Sequence, residues 1–245
     1  TGNVVLTLGS ERFTVPVNAT ATRCSLAPSS PLSGRIAIAR DKAFCFYYED
    51  SLQLLEDMGA ELVPFSPLTD DKLPPHIGGL ILGGGYPELY AGQLSANRPL
   101  LTAIRQAVEG GLPTWAECGG FMFLGKSLSN MNGEAFPMAG VLETESAMTN
   151  RLQNFGYIRL TAGEDNLFCK AGEGINAHEF HYAESSDEGT GWTAEKASTG
   201  RKRSCCMTSP TLYAGYPHLH LWGNRQFAVN FLEKARQKQA ADAQK

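Results

Sequence analysis

From Arg35 onward, short apolar runs alternate with stretches of helical periodicity. Ile36-Ala37-Ile38-Ala39 has no polar member, which is the pattern of a strand covered on both faces. Leu52, Leu55 and Met58 then recur at helical spacing up to Gly59, and residues 62 to 65 return to a strand-like run. The alternation continues through Gly79-Leu80-Ile81-Leu82, a helix carrying Leu100, Ile104 and Val108 that stops at Gly110-Gly111, and a strand over 113 to 117. Apolar strands separated by amphipathic helices predict an α/β fold, with a largely parallel central sheet and helices on both faces.

The second half reads as more antiparallel. Strand-like runs at 154 to 160, 174 to 183 and 211 to 216 surround a polar, Gly-rich interval over 185 to 202. A helix through Phe227, Phe231 and Leu232 follows, and the polar residues 236 to 245 are expected to fray. At the other end, two alternating stretches, Val4 to Leu8 and Phe13 to Val17, precede a Ser/Pro-rich run over 25 to 34. Residues 1–34 thus read as a hairpin or remnant with a linker, 35–235 as the domain and 236–245 as a tail.

Composition narrows the function classes. With 42% hydrophobic and 19% charged residues over 245 positions, the chain has ample core for a globular domain. Lys and Arg total 21 against 25 Asp and Glu, giving a net charge of -4, and no basic block exists to neutralise nucleic acid or an anionic membrane. No apolar run reaches the roughly 18 residues that a spanning helix needs. The first residues lack a signal-peptide pattern, so a cytoplasmic location with reduced thiols is expected. Six cysteines occur without a C-x-x-C pair, and no metal site is expected.

The chemistry concentrates at Trp115-Ala116-Glu117-Cys118-Gly119-Gly120, where a strand runs into a cysteine, two glycines and a helix-like apolar run. This is the form of a nucleophile elbow. The N-terminus of a helix there stabilises negative charge on sulfur, and the Gly119 N–H faces the oxyanion of a tetrahedral intermediate. The structural alternative is a buried cysteine.

A nucleophilic thiol needs a base. His218 and His220 lie at the end of a strand, where alternation places both on one face, so that one takes the thiol proton and the other orients it. Gly83-Gly84-Gly85 ends a strand and offers backbone donors at the carboxyl edge of the sheet. His178, Glu179, His181 and Tyr182 crowd one strand-like run. They read either as polar recognition of a substrate or as a satisfied structural network, and not as a zinc pair, since His178 and His181 point to opposite faces. Gly120 to Ser127 matches the Walker A expression, but Phe121-Met122-Phe123-Leu124 suits a core helix better than a phosphate loop.

Together these residues resemble the glutamine amidotransferase domain of the cobyrinate a,c-diamide synthase family. The resemblance runs from about Arg35 to Asn224 and rests on several segments in order. They include Ala39-Arg40-Asp41-Lys42-Ala43-Phe44, Gly83-Gly84-Gly85-Tyr86-Pro87-Glu88, Ala116-Glu117-Cys118-Gly119-Gly120, Arg151-Leu152-Gln153, His178-Glu179-Phe180-His181-Tyr182 and His218-Leu219-His220. It implies a class I, triad-type, flavodoxin-like fold in which Cys118 attacks the carboxamide of glutamine and His218 is the base. The wider class has His-x-Glu, and the position of that acid is His220 here. Gly84, Gly85 and Gly119 line the oxyanion, and His178, Glu179, His181 and Tyr182 fall on the acceptor or domain-contact side.

The family further implies that no cofactor is held by this domain. ATP and Mg²⁺ belong to an N-terminal synthetase domain, for which residues 1–34 have no room, and that domain amidates the a and c carboxylates of cobyrinate with the released ammonia. Hydrogenobyrinate or a nickel tetrapyrrole are alternative acceptors. Other readings are a cysteine hydrolase of another amide, or a non-catalytic corrinoid-binding or partner-binding pseudo-glutaminase. One departure is Gly215-Tyr216-Pro217, where the family usually has Ser-Tyr-Leu before His218.

Overall fold

The computed structural model describes residues 34–244, together with the backbone of 2–8 and 11–17. The latter two segments pair as an antiparallel hairpin, with Val5 opposite Thr14. Of the predicted linker over 25 to 34, residues 25 to 33 lie outside the described residues and Gly34 opens the first strand of the domain. The elements that position the site are, in chain order, β1 (Gly34–Ala39), α1 (Glu49–Asp57), β2 (Ala60–Phe65), β3 (Gly79–Leu82), α2 (Arg98–Glu109), β4 (Thr114–Glu117), α3 (Gly119–Leu124), β5 (Asn154–Ala162), β6 (Gly174–His181), β7 (Leu212–Gly215), β8 (His218–Leu219) and α4 (Arg225–Asp242).

The central sheet has the order β7-β4-β3-β1-β2, parallel throughout, with Met207–Ser209 added antiparallel at the β7 edge. Its wholly apolar strands serve two cores. Ile36 and Ile38 pack with Leu55 of α1 and with Phe227 and Phe231 of α4 on one face. Ala37 and Ala39 point the other way, toward Leu100 and Ile104 of α2 and the apolar residues of α3. Each large side chain buried this way contributes about 1.5–3 kcal/mol. α2 starts where the Asn97 side chain accepts from the Leu100 N–H at 3.4 Å and ends at Gly110, with Gly111 at φ 78°.

A second, antiparallel sheet has the order Lys202–Cys205, Trp192–Lys196, β5, β6, β8. Its inner residues, among them Ile158, Leu160, Ile175 and Trp192, join the α4 side of the core. The architecture is therefore the α/β arrangement expected, with an antiparallel second half. Among the described residues, no helix is long and apolar enough to cross a membrane.

One local expectation needs correction. Residues 236 to 242 are not frayed but continue α4, because Gln239 is tied at both ends of its amide: its Oε1 accepts the Arg35 N–H at 3.2 Å and its Nε2 donates to the His76 carbonyl at 3.0 Å. Sequence periodicity gives no element within the polar interval over 185 to 202, and there the structure adds a strand, Trp192–Lys196, anchored by the fully buried Trp192.

Candidate active site

Cys118 stands between β4 and α3 with φ 49° and ψ -101°, a backbone conformation that costs an L-residue of order 1–3 kcal/mol. The surroundings hold it there. The Cys118 N–H donates to the Gly215 carbonyl at 2.8 Å, and the Gly120 N–H donates to the Gly83 carbonyl at 2.9 Å. Gly120 cannot carry a side chain, since a Cβ would stand 2.0 Å from the Leu82 carbonyl oxygen. The elbow read from the sequence is thus present, and its thiol faces a cavity of about 320 Å³.

Opposite the elbow, Gly84–Gly85 forms a short strand paired antiparallel with Phe44–Phe46. The Cβ direction of Gly119 ends 3.2 Å from the Gly85 nitrogen, so the two backbones converge beside the sulfur. The Gly119 N–H, at the first position of α3, has no carbonyl one turn earlier to bond. The backbone amides of Gly85 and Gly119 are therefore neighbours at the elbow.

His218 enters from β8 and lines the same cavity as Cys118, whose thiol raises the proton affinity of the ring. Its Nδ1–H donates to Oε2 of Glu117 at 3.2 Å, and Phe46 packs edge-on at 4.7 Å between ring centres. Glu117 is buried and fully employed: its Oε1 also accepts the Trp115 Nε1–H at 2.7 Å and the Leu219 N–H at 2.8 Å. Burial is the largest influence on His218 and works against its charge. The hydrogen bonds and charge interactions with Cys118 and Glu117 together outweigh it and push the ring up to about 10.

His220 is not the orienting partner. β8 ends at Leu219 and the chain enters a 3₁₀ turn over Leu221–Gly223, so strand alternation stops before it can place the second ring beside the first. The His220 Nε2 lies 2.9 Å from Oδ2 of Asp50 on α1, with Tyr48 edge-on at 5.0 Å. The acid that holds His218 is Glu117, which the sequence reading passed over. A carboxylate in an otherwise apolar strand, directly before the candidate nucleophile, was the available signal, because a buried charge requires partners.

The β6 residues divide by face. His178 lines the mouth of the cavity, as do Phe180 and, just beyond the strand, Tyr182. Tyr157 of β5 packs edge-on against His178 at 5.2 Å. His181 faces inward, stacked on Tyr216 at 3.7 Å, and its Nδ1–H donates to the Ala183 carbonyl at 2.9 Å. Burial lowers its pKa to about 4, so it is a neutral ring in the cavity wall. Glu179 is not available to an acceptor: it is buried and ion-paired with Arg203, which also bonds Glu188 at 3.0 Å. The Walker-like segment is core, with Phe121 to Leu124 buried in α3 and Lys126 ion-paired with Glu143. Among the described residues, no group of three or more His, Cys, Asp or Glu is placed to hold a metal ion.

The chain is similar to curated proteins and to solved structures. Cobyrinate a,c-diamide synthase of Caldanaerobacter subterraneus subsp. tengcongensis is 41% identical over 202 residues, which are 82% of this chain and 45% of that protein. The enzyme of the same name from Synechocystis is 39% identical over 216 residues, covering 85% and 43%. The chain thus spans somewhat less than half the length of these curated relatives. Among solved structures, a glutamine amidotransferase superposes with a TM-score of 0.53 at 17% identity over 82% of this chain and 98% of that one. PurLQS from Thermotoga maritima gives 0.51 at 17% over 86% and 99%. These two likenesses show the fold. The model of the CobB/CobQ-like glutamine amidotransferase domain matches residues 35–226, which contain every element of the site described above, and the chain belongs to that family.

Proposed function

We propose that this chain is a glutaminase module that releases ammonia for an ATP-dependent amidation carried out by a synthetase domain. The observation that carries the reading is the line Cys118–His218–Glu117 beside the converging backbones of Gly85 and Gly119. In the proposed cycle His218 accepts the thiol proton, and sulfur attacks the carboxamide carbon of glutamine. The resulting oxyanion is held by the two glycine amides, and the C–N bond breaks as His218 returns the proton to the departing ammonia. Water, deprotonated by the same ring, then cleaves the γ-glutamyl thioester to give glutamate and free thiol. The high proton affinity of His218 keeps the proton at hand for the leaving nitrogen.

Ammonia set free in bulk water is protonated and lost as a nucleophile, so the released molecule passes to an acceptor carboxylate activated by ATP and Mg²⁺ on the synthetase partner. By similarity to the relatives, the acceptor is cobyrinate, amidated at its a and c side chains. The exposed Phe180 and Tyr182 and the half-buried His178 line the cavity from which ammonia leaves, and the exposed Tyr157 packs against His178. The reading is tested by glutamate release from glutamine in the wild type and in Cys118→Ala. Loss of release with an unchanged circular dichroism spectrum is expected, and undiminished release in the variant overturns the nucleophile.

A further inference from the structure

We propose that Glu88 anchors the α-ammonium group of the substrate, so that the cavity before Cys118 selects α-amino acids with a terminal carboxamide over simple amides; this rests on the glutaminase reading above. The argument starts from the charges in the cavity wall. Glu88 is the one carboxylate among the described residues that line it, and no Lys or Arg does. Glu117 lies behind His218 with its oxygens already committed to ring and amide donors. His178 and His181 also line the cavity, and burial lowers the pKa of both.

Glu88 itself is half-buried in the 3₁₀ turn Pro87–Tyr90 that follows the Gly84–Gly85 strand. The turn is firmly placed: the Tyr86 N–H donates to the Ala43 carbonyl at 2.9 Å, and the Leu89 N–H donates to the Tyr86 carbonyl at 3.1 Å. Pro87 Cδ stands 3.0 Å from the Cβ direction of Gly119, so the turn rests directly on the elbow. Yet the Glu88 carboxylate has no ion-pair partner among the described residues, and burial raises its pKa. A carboxylate drawn out of water without a counter-charge is unfavourable, and an incoming ammonium relieves that cost. Met122 and Met148 also line the cavity and give the aliphatic stem of glutamine an apolar wall; in the proposed pose the carboxamide sits at Cys118 and the amino end at Glu88.

The test is covalent labelling of Cys118 in the 245-residue chain, followed by mass spectrometry, with three electrophiles. These are 6-diazo-5-oxo-L-norleucine, its analogue lacking the α-amino group, and iodoacetamide. In Glu88→Gln, the labelling rate with the amino-acid reagent is expected to fall about tenfold or more, the usual effect of losing a charge-assisted hydrogen bond. Labelling by the deaminated analogue and by iodoacetamide stays as in the wild type, which also verifies that the elbow is intact. Glu88→Asp, which keeps the charge, recovers part of the loss. Equal labelling of wild type and Glu88→Gln by the amino-acid reagent overturns the assignment while leaving the glutaminase reading in place. A wild-type Cys118 that reacts with iodoacetamide but not with the amino-acid reagent overturns both.

Discussion

The Nδ1 of His218 lies 3.2 Å from Oε2 of Glu117, the residue that immediately precedes Cys118. Glu117 and Cys118 thus leave the same strand end, and His218 alone arrives from a distant segment. Glu117→Gln is expected to leave the fold intact, since it keeps the shape and an acceptor for Leu219. It loses the charge that fixes the ring, and kcat for glutamine falls about 10²–10⁴-fold with little change in KM. His220→Ala removes a pair half open to solvent and changes kcat by less than about threefold and stability by less than ~1 kcal/mol. Steady-state kinetics of the two variants decide between the acids, and the reverse pattern restores His220.

The glycines of the site divide into those that shape the fold and those that shape the chemistry. A Cβ at Gly120 meets backbone at 2.0 Å, so Gly120→Ala is expected to destabilise by about 1–3 kcal/mol in urea unfolding. A Cβ at Gly84 meets the Cε1 of His218 at 2.6 Å. That ring can swing away only by leaving Glu117, so Gly84→Ala is expected to lose most of its activity while its unfolding midpoint moves little.

Proton affinity in the site carries a stability signature. The His218 pKa is raised from 6.5 to about 10 in the folded chain. The folded state therefore binds this proton more tightly than the unfolded one, and the stabilisation is complete below about pH 6.5 and disappears as the pH climbs toward 10. Denaturant unfolding of the wild type minus that of His218→Asn, measured across this range, is expected to show that decline. A flat difference contradicts the raised value.

Behind the cavity, Arg203 and Glu179 form an ion pair in which the acid is almost wholly buried, with 3% of its side chain exposed. Arg203→Ala leaves that carboxylate unpaired and is expected to cost about 3 kcal/mol in chemical denaturation. Arg203→Ala with Glu179→Gln recovers part of the loss, because the neutral amide tolerates burial better than an orphaned charge.

The sequence made the parallel core legible because its strands are apolar on both faces and its helices stop at glycines, as Ile36 to Ala39 and Gly110-Gly111 illustrate. Cys118 was legible for a similar reason: only a sharp strand-to-helix turn places two glycines directly after a cysteine. His220 misled because alternation was extended past the two-residue strand that carries His218. Glu117 was missed because strand periodicity describes which face a side chain takes and not what it bonds. Residues 236 to 242 looked like a tail by polarity, but Ala235 and Gln239 tie the last turns to the start of β1 and the loop before β3 through packing and side-chain hydrogen bonds that no periodicity reports.

Glu117 grips both the imidazole and the amide of the next residue, Leu219, and so fastens the end of the parallel layer to the edge of the antiparallel one. The seam between the two layers and the alignment of the reacting groups are consequently the same object. Prising the layers apart at this point disarms the base before either layer melts, so turnover is an early reporter of their separation.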